Sequence, residues 1–578
     1  MFSDKSLATA RQKNWDAAHQ GSPEKLITAR RVVLDIQAGI PVAEAVRRNP
    51  LAGGYVSKQF LIEAYRRLVD LGELQPDRRL LERLRMKPMR TLSGVTTVTV
   101  LTKPYPCPGE CIFCPTDLRM PKSYLPDEPG AMRALQNAFD PSDQVQERLT
   151  TLNAIGHPTD KIELLILGGT WSAYRRDYQE WFVLRCFQAL NDGLVDLDDG
   201  NTGGGRSAPR RISEDAPAEP ADHGPLACFE AVLEEEQLEN ENTHHRNVGL
   251  VIETRPDHIH TEELAWLRHL GVTKVQLGAQ SFDDEILALN KRGHNAAATL
   301  QATALLRAAG FKIVLHWMPN LLGATPDSDR TDFARMWLGF CPDEIKIYPN
   351  QLLENADLYQ VWLSGGFRPY ETRELIELIA DVKPAIPRYC RVNRIIRDIP
   401  STNVVAGNRR TSLRMDVQQE LARRGQRCEC IRCREVKQDI VDPTQLELTD
   451  LVYPAGGAEE HFLSWNTPQD RLAGFLRLSL PGRESPDPGM GELVGAALIR
   501  EVHIYGQSLT VGEEPEGAAQ HAGLGRKLIA EAEEIARAAG FARLAVISAV
   551  GTRQYYRKNG FSPCGHYMVK DLIPSLPA

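Results

Sequence analysis

The sequence predicts an α/β protein: a helical basic N-terminal region, a partial (β/α)6 barrel, and a second, smaller α/β domain. Three observations predict it. Six short apolar runs alternate with helical stretches between residues 95 and 348, the pattern of parallel βαβ units. The region before them has only helical periodicity. Past residue 440 the strand-like runs lengthen, and a glycine-rich turn opens one long amphipathic helix. These breaks divide the chain into 1–86, 87–387, a connector at 388–440, and 441–578.

A chain of 578 residues exceeds one domain and can bury several cores. Its 42% hydrophobic and 25% charged residues are ordinary for a globular protein. No apolar run approaches the ~18 residues of a membrane span, and the start has no signal-peptide layout. Eleven cysteines in metal-like spacings point to a reducing compartment rather than a disulfide framework, so a cytoplasmic protein is expected. The net charge of −8 argues against nucleic acid, but its distribution does not. Residues 1–100 carry 17 Lys+Arg against 10 Asp+Glu, and residues 388–437 carry 13 against 5. Two basic segments on an acidic body can form a footprint for a polyanion. Solvated basic helix faces would give the same counts.

In the N-terminal region Leu26 to Ile40 and Lys58 to Leu71 have apolar residues at helical spacing. The strand candidates are Val95–Leu101, Ile162–Leu167, Val248–Thr254, Lys274–Ala279, Lys312–Met318 and Glu344–Tyr348. Chemistry collects at the carboxyl ends of such strands. Cys107–Cys114, Gly168-Gly169-Thr170, Glu253-Thr254-Arg255-Pro256 and Gly278-Ala279-Gln280-Ser281 all fall there. Asp198 to His223 has too few large apolar residues to pack and is expected to be a disordered insertion. In the last domain the expected strands are Leu472–Leu480, Glu492–Tyr505, Arg543–Ser548 and His566–Val569, with helices Gly523–Ala539 and Thr552–Asn559. Pro481–Gly491 reads as a long hairpin loop.

Cys107, Cys111 and Cys114 follow the first strand as Cys-Pro-Gly-Glu-Cys-Ile-Phe-Cys. A [4Fe–4S] cluster usually takes four cysteines, so three leave one iron open to a ligand that is not protein. Radical S-adenosylmethionine (SAM) enzymes hold their cofactor this way. Zinc is the competing reading, but it normally takes a fourth Cys or His, and none lies within about thirty residues. Gly168, Gly169 and Thr170 end the second strand, where glycines let backbone approach a ligand; in radical SAM enzymes this position holds the amino group of SAM. Gln280, at the end of the fourth strand, is a further cofactor-binding candidate. A second triad, Cys428, Cys430 and Cys433, suits a closed structural zinc site, with Cys390 the candidate fourth ligand and Cys341 or a His the runner-up. A second Fe–S cluster is the alternative there.

Gln520, Gly523, Leu524, Gly525 and Arg526 open the amphipathic helix of the last domain. Free N–H groups at a helix start, unobstructed by side chains, bind pyrophosphate. The Q-x-x-G-x-G spacing looks like the pyrophosphate loop of GNAT acetyltransferases, which hold acetyl-CoA. Tyr555 and Tyr556 fit the GNAT position where a tyrosine hydroxyl reaches the CoA sulfur, although one of the pair is expected to be core.

A radical SAM domain fused to a GNAT domain resembles the catalytic acetyltransferase subunit of Elongator and its stand-alone bacterial and archaeal relatives. The likeness runs from about Lys87 to Lys570, through Lys87-Pro88-Met89-Arg90, Gly168-Gly169-Thr170-Trp171, Ile252-Glu253-Thr254-Arg255-Pro256-Asp257, Asn290-Lys291-Arg292-Gly293-His294 and Arg500-Glu501-Val502-His503-Ile504-Tyr505-Gly506. The resemblance implies conversion of the tRNA wobble uridine to 5-carboxymethyluridine, with a [4Fe–4S] cluster, SAM, acetyl-CoA, an electron donor and no membrane. SAM is cleaved to a deoxyadenosyl radical, which takes hydrogen from the acetyl methyl group. The carbon radical adds to carbon 5 of uracil, and water releases CoA. By the same resemblance Lys161 contacts acetyl-CoA in the radical domain, and Glu501, Val502, His503, Ile504, Leu524 to Arg526 and Tyr556 contact CoA. The basic segments 1–90 and 388–437 become tRNA-facing surfaces, since a single-stranded loop can splay a base into a pocket. The alternative is a protein lysine acetyltransferase whose Fe–S domain is structural.

Overall fold

The computed structural model describes residues 23–51, 54–193, 217–223, 225–437, 439, 441–505 and 523–573. A seven-stranded parallel sheet forms the barrel, in the sequential order β1-β2-β3-β4-β5-β6-β7. Its strands are β1 (Thr96–Leu101), β2 (Lys161–Leu167), β3 (Arg246–Thr254), β4 (Lys274–Gln280), β5 (Lys312–Trp317), β6 (Glu344–Ile347) and β7 (Arg391–Ile395). Six match the expected runs. The seventh, β7, lies inside what was expected to be connector, so the barrel runs past residue 387. Its sequence, Arg-Val-Asn-Arg-Ile, hides a strand because its polar positions face the bore rather than a core.

The strands alternate faces, as period-2 geometry requires. In β2, Ile162, Leu164 and Ile166 are buried under the outer helices, whereas Lys161, Glu163, Leu165 and Leu167 face the bore. Helix Arg176–Asn191 is buried almost throughout, with Phe182 and Phe187 at 0% exposure. That environment explains its weak amphipathicity in sequence.

The N-terminal helices Pro23–Gln37, Lys58–Asp70 and Arg78–Leu84 form a small core of their own. Ser57 and Asp77 cap the second and third by accepting from Phe60 and Leu80 N–H groups. Arg66 donates to Asn153 Oδ1 (2.8 Å) and Arg85 to Gly156 O (2.8 Å), which ties this region to the barrel.

The last domain is a mixed sheet of order β13-β14-β12-β11-β10-β9-β8. It consists of β8 (Glu447–Ala455), β9 (Ala458–Asn466), β10 (Leu472–Pro481), β11 (Ala496–Ile504), β12 (Arg543–Val546), β13 (Ser562–Cys564) and β14 (Tyr567–Asp571). The hairpin β8–β9 and the short edge β13 were not legible in sequence: β8 is mostly exposed and carries charges. The 198–223 insertion divides. Residues 198–216 lie outside the described residues, but 217–223 dock on the barrel, against the expectation of disorder. Trp181 Nε1 donates to Pro217 O (2.8 Å), and Lys103 Nζ pairs with Glu219 (2.7 Å). No described helix is long and apolar enough to cross a membrane.

Candidate active site: one cavity between two domains

Cys107, Cys111 and Cys114 lie on the loop after β1, at the carboxyl end of the barrel. The β2 turn meets this loop: Thr170 Oγ1 is 3.5 Å from Cys107 Sγ. Gly168 has φ +141°, and a Cβ there would fall 1.8 Å from Thr102 Oγ1, so glycine is required. Arg292 Nη1 donates to Cys111 Sγ (3.2 Å). The hydrogen bond from Cys114, with the charges of Arg292 and Arg255, outweighs burial and holds the Cys111 thiol down to about 5. The same bond, together with burial, pushes Cys114 up. Gln280 ends β4 in a left-handed conformation (φ +72°), and its buried Oε1 has no partner among the described residues.

The loop fits a cluster on two grounds. It supplies three thiols, and Arg255 Nη1 is a buried donor with no hydrogen-bond partner among the described residues. The three sulfurs do not all fall within 4.8 Å of one another, whereas those of Cys428, Cys430 and Cys433 do. Tetrahedral Zn–S bonds of ~2.3 Å place sulfurs only about 3.8 Å apart. The second triad therefore suits a single ion, and the first suits something larger.

Below the cysteine loop the bore is lined with charge. Lys274 Nζ pairs with Glu163 (2.6 Å) and Glu344 (3.4 Å). Gln276 Oε1 accepts from Lys346 and lies 3.0 Å from His316 Nε2. Burial keeps the His316 ring neutral, well below its ordinary range. At the amino ends of the strands Lys312 Nζ meets Glu501 of the last domain (2.5 Å), which also accepts from Arg477 Nε (2.9 Å). Arg500 clamps buried Asp343 through two 2.7 Å bonds. Burial alone would push the Asp343 carboxyl up, but Arg500 and Arg477 hold it far below the usual range.

In the last domain β12 accompanies β11 only from Ala496 to Ile499, after which β11 runs on to Ile504 without it. Helix Leu524–Ala538 packs on β10 and β11 and opens at Gly523 (φ +68°). A Cβ on Gly525 would lie 2.6 Å from Tyr555 Oη, so the glycine makes room for the tyrosine. Tyr555 is 38% exposed; Tyr556 is 7% exposed and packs edge-on against Phe561 in the core. Tyr556, of which a CoA contact was expected, thus packs mainly in the core and turns only a small surface to the cavity. Gln520 lies outside the described residues.

One cavity of about 1840 Å³ runs from the end of the cysteine loop through the bore to the last domain. It is lined by Cys114 and Gln280 at one end and by Thr99, Glu163 and Gln276 in the bore. At the far end it reaches Glu501, Val502, His503, Ile504, Gly523, Gly525, Arg526, Tyr555 and Tyr556. Lys161, at the start of β2, faces the same space near this far end, with its ammonium destabilised by burial. Burial likewise holds His503 down to about 4, leaving it neutral. Arginines from separate segments line the cavity: Arg90, Arg133, Arg148, Arg394, Arg414 and Arg432. Burial and neighbouring arginines hold Arg148 and Arg414 down to about 10. Much of the connector's charge is paired internally, as in Arg388–Asp470, and even Arg391 and Arg397, which also line the cavity, pair with Glu435 and Glu128.

Cys428, Cys430 and Cys433 do not line this cavity, although Ile431 and Arg432 between them do. Cys390 is joined to them by its carbonyl, which accepts from Ile431 N (2.9 Å), but its thiol lies outside the 4.8 Å group, as does that of Cys341. Buried Lys383 Nζ has no hydrogen-bond partner among the described residues, and its charge acts on the triad.

Comparison with known proteins decides the family. Residues 218–335 match the Radical SAM superfamily model, and residues 342–423 match the Radical_SAM C-terminal domain. A Dehalococcoides mccartyi protein named tRNA uridine(34) acetyltransferase is 41% identical over 84% of this chain and 99% of its own length. The chain belongs to the tRNA uridine(34) acetyltransferase family. A second member, from Methanocaldococcus infernus, is 39% identical over 85% of this chain and 88% of its own length. Human Elongator complex protein 3 is 34% identical over 88% of this chain and 91% of its own. The solved archaeal Methanocaldococcus infernus Elp3, lacking its N-terminus (1–46), matches with a TM-score of 0.66 and 35% identity, covering 83% of this chain and 99% of that one. As a family member the chain is an acyltransferase of radical SAM type.

Several residues of the site escaped sequence reasoning. Arg255 and Arg292 sit in motifs that were noted but given no role. Glu163, Lys274, Gln276, His316 and Lys346 were read only as parts of strands, yet charged or polar residues at alternate strand positions announce a polar bore.

Proposed function

We propose that this chain replaces the C5 hydrogen of the wobble uridine of tRNA with a carboxymethyl group taken from acetyl-CoA. The observation that carries the reading is the single cavity shared by Cys114 and the Gly523–Arg526 turn. A radical made at one end can act on an acetyl group bound at the other only if the two share a space. The names of the relatives support tRNA as substrate, and so do arginines such as Arg90, Arg148, Arg394 and Arg414 that line that cavity, since phosphate contacts supply most nucleic-acid affinity.

Cys107, Cys111 and Cys114 would hold the [4Fe–4S] cluster, with Gly168-Gly169-Thr170 and Gln280 around SAM. The chemistry the cluster supplies when bound is one electron for reductive cleavage of SAM. In the last domain, read as a GNAT fold, the backbone of Glu501 to Ile504 lies along the gap where β12 diverges, suited to pair with the amides of a pantetheine arm. The helix start at Gly523–Arg526 faces the pyrophosphate. The Glu501 side chain is engaged by Lys312 and Arg477, so its carboxylate holds the domains together and only its backbone serves CoA. Lys161 offers an ammonium to the thioester end. The deoxyadenosyl radical takes one hydrogen atom from the acetyl methyl group, and the resulting carbon radical forms a bond to C5. The ring would then lose the C5 proton and return one electron to the oxidised cluster, replacing the electron spent on SAM, and water would cleave the thioester. The products are 5-carboxymethyluridine, 5′-deoxyadenosine, methionine and CoA. The Cys428 triad is read as a structural zinc site outside this path.

The test is one anaerobic assay with an electron donor, SAM, acetyl-CoA and bulk tRNA, followed by mass spectrometry of nucleosides. Carboxymethyluridine together with 5′-deoxyadenosine is expected. Acetyl-lysine on added protein, with no modified base, would instead mean a protein acetyltransferase.

A further inference from the structure

We infer that Arg255 and Arg292 form a two-guanidinium shell that donates hydrogen bonds to the sulfurs of the cluster at Cys107, Cys111 and Cys114 and raises its reduction potential. The inference rests on the cluster reading of that triad.

Both arginines are built alike. Each is fixed along one edge by a partner of its own and turns a remaining N–H toward the cysteine loop. Arg255 is held by Asp257 in a bidentate pair, Nε to Oδ1 at 2.9 Å and Nη2 to Oδ2 at 2.8 Å. Its Nη1 is buried with no hydrogen-bond partner among the described residues. A buried donor left without an acceptor costs roughly 1–3 kcal/mol, so its retention calls for an acceptor that belongs there. Arg292 is held at Gly278 O through Nε (3.2 Å) and Nη2, and its Nη1 already donates to Cys111 Sγ at 3.2 Å.

Three glycines make room for the pair. A Cβ at Gly109, in the middle of the cysteine loop, would lie 2.4 Å from Arg255 Nη1 and 3.6 Å from Cys107 Sγ. A Cβ at Gly293 would lie 3.1 Å from Arg255 Nη2, and one at Gly278 would lie 2.7 Å from Arg292 Nη2. The Arg255 guanidinium and the Cys107 sulfur therefore flank the same bare Cα. Positive charge and N–H donors beside cluster sulfurs favour the reduced, more negative state. The pair thus eases reduction of the cluster by the electron donor, while lessening the driving force for passing that electron on to SAM.

The test is a potentiometric titration of the anaerobically loaded full chain, followed by electron paramagnetic resonance, with iron and sulfide assayed on the same samples. Arg292→Met and Arg255→Met are each expected to lower the reduced-to-oxidised ratio at fixed potential about tenfold, which is 59 mV for one electron. Gly109→Ala keeps both charges but forces Arg255 Nη1 aside, and is expected to give part of the Arg255→Met shift. Arg292→Lys replaces Arg292→Met if the latter does not load, and is expected to shift in the same direction. Fully loaded Arg255→Met and Gly109→Ala enzymes with the wild-type midpoint would overturn the role of Arg255. The same result for either Arg292 variant would overturn that of Arg292. A wild-type chain that takes up no iron–sulfur cluster would overturn the cluster reading itself, a distinct outcome.

Discussion

The two cysteine triads have the same composition and opposite surroundings. Cys107, Cys111 and Cys114 are spread along a loop and face two guanidiniums, and Cys114 borders a cavity that runs the length of the barrel. Cys428, Cys430 and Cys433 are drawn within 4.8 Å of one another, beside a buried lysine and under the seam between the barrel and the last sheet. Arg471 Nη2 donates to Glu435 O (2.8 Å), and Val436 N to Leu472 O (3.0 Å), stitching that seam just beyond the second triad. What separates a reactive thiol cluster from a cross-link is access and neighbouring charge, since a catalytic centre must keep an open position and a structural one closes its shell.

The largest contrast is expected from paired substitutions. Cys111→Ala should abolish both the modified base and 5′-deoxyadenosine while leaving tRNA affinity within about twofold, measured by nucleoside mass spectrometry and filter binding. Cys430→Ala should do the reverse in kind: it loses the metal of the second site and lowers Tm by roughly 5–10 °C. It should keep the full iron content of the first triad. If Cys430→Ala stops SAM cleavage in protein that remains folded and iron-loaded, the contrast is wrong.

A second prediction addresses the bore. Thr99 faces the cavity from β1, midway between the two ends. Thr99→Trp should cut carboxymethyluridine formation by about tenfold or more, on the order of 1.4 kcal/mol or greater. Acetyl-CoA binding, read by calorimetry, should be unaffected. Unchanged turnover in that variant would mean that the acetyl group travels by another path.

The smallest effect separates the tyrosines. Tyr556→Ala empties a core position and should cost about 3–5 kcal/mol in unfolding free energy. Tyr555→Ala, at a 38% exposed residue, should leave stability within about 0.5 kcal/mol and weaken acetyl-CoA a few-fold.

The sequence disclosed the barrel because six of its strands carry apolar residues on the outward face, and each ends in a turn with recognisable chemistry. It hid β7, whose five residues include Arg391, Asn393 and Arg394, because a strand that lines a polar bore loses the apolar signature. It hid the β8–β9 hairpin for a related reason: β8 is a mostly exposed edge strand with no regular alternation of apolar and polar residues. The thiols and glycines of the site were legible as motifs. Arg255 and Arg292 were not, because their function depends on long-range placement against a loop some 150 residues or more away in sequence. The basic connector misled in the opposite direction: most of its charge is paired with internal carboxylates, including that of Arg391 and Arg397, which line the cavity.

The central claim is that a radical generated at the first triad takes hydrogen from the acetyl methyl group through the shared cavity. Acetyl-CoA carrying three deuteriums on that methyl group tests it directly. The account predicts one deuterium in 5′-deoxyadenosine and two retained in the carboxymethyl carbon of the modified uridine. A 5′-deoxyadenosine free of deuterium, formed together with the modified base, would contradict it.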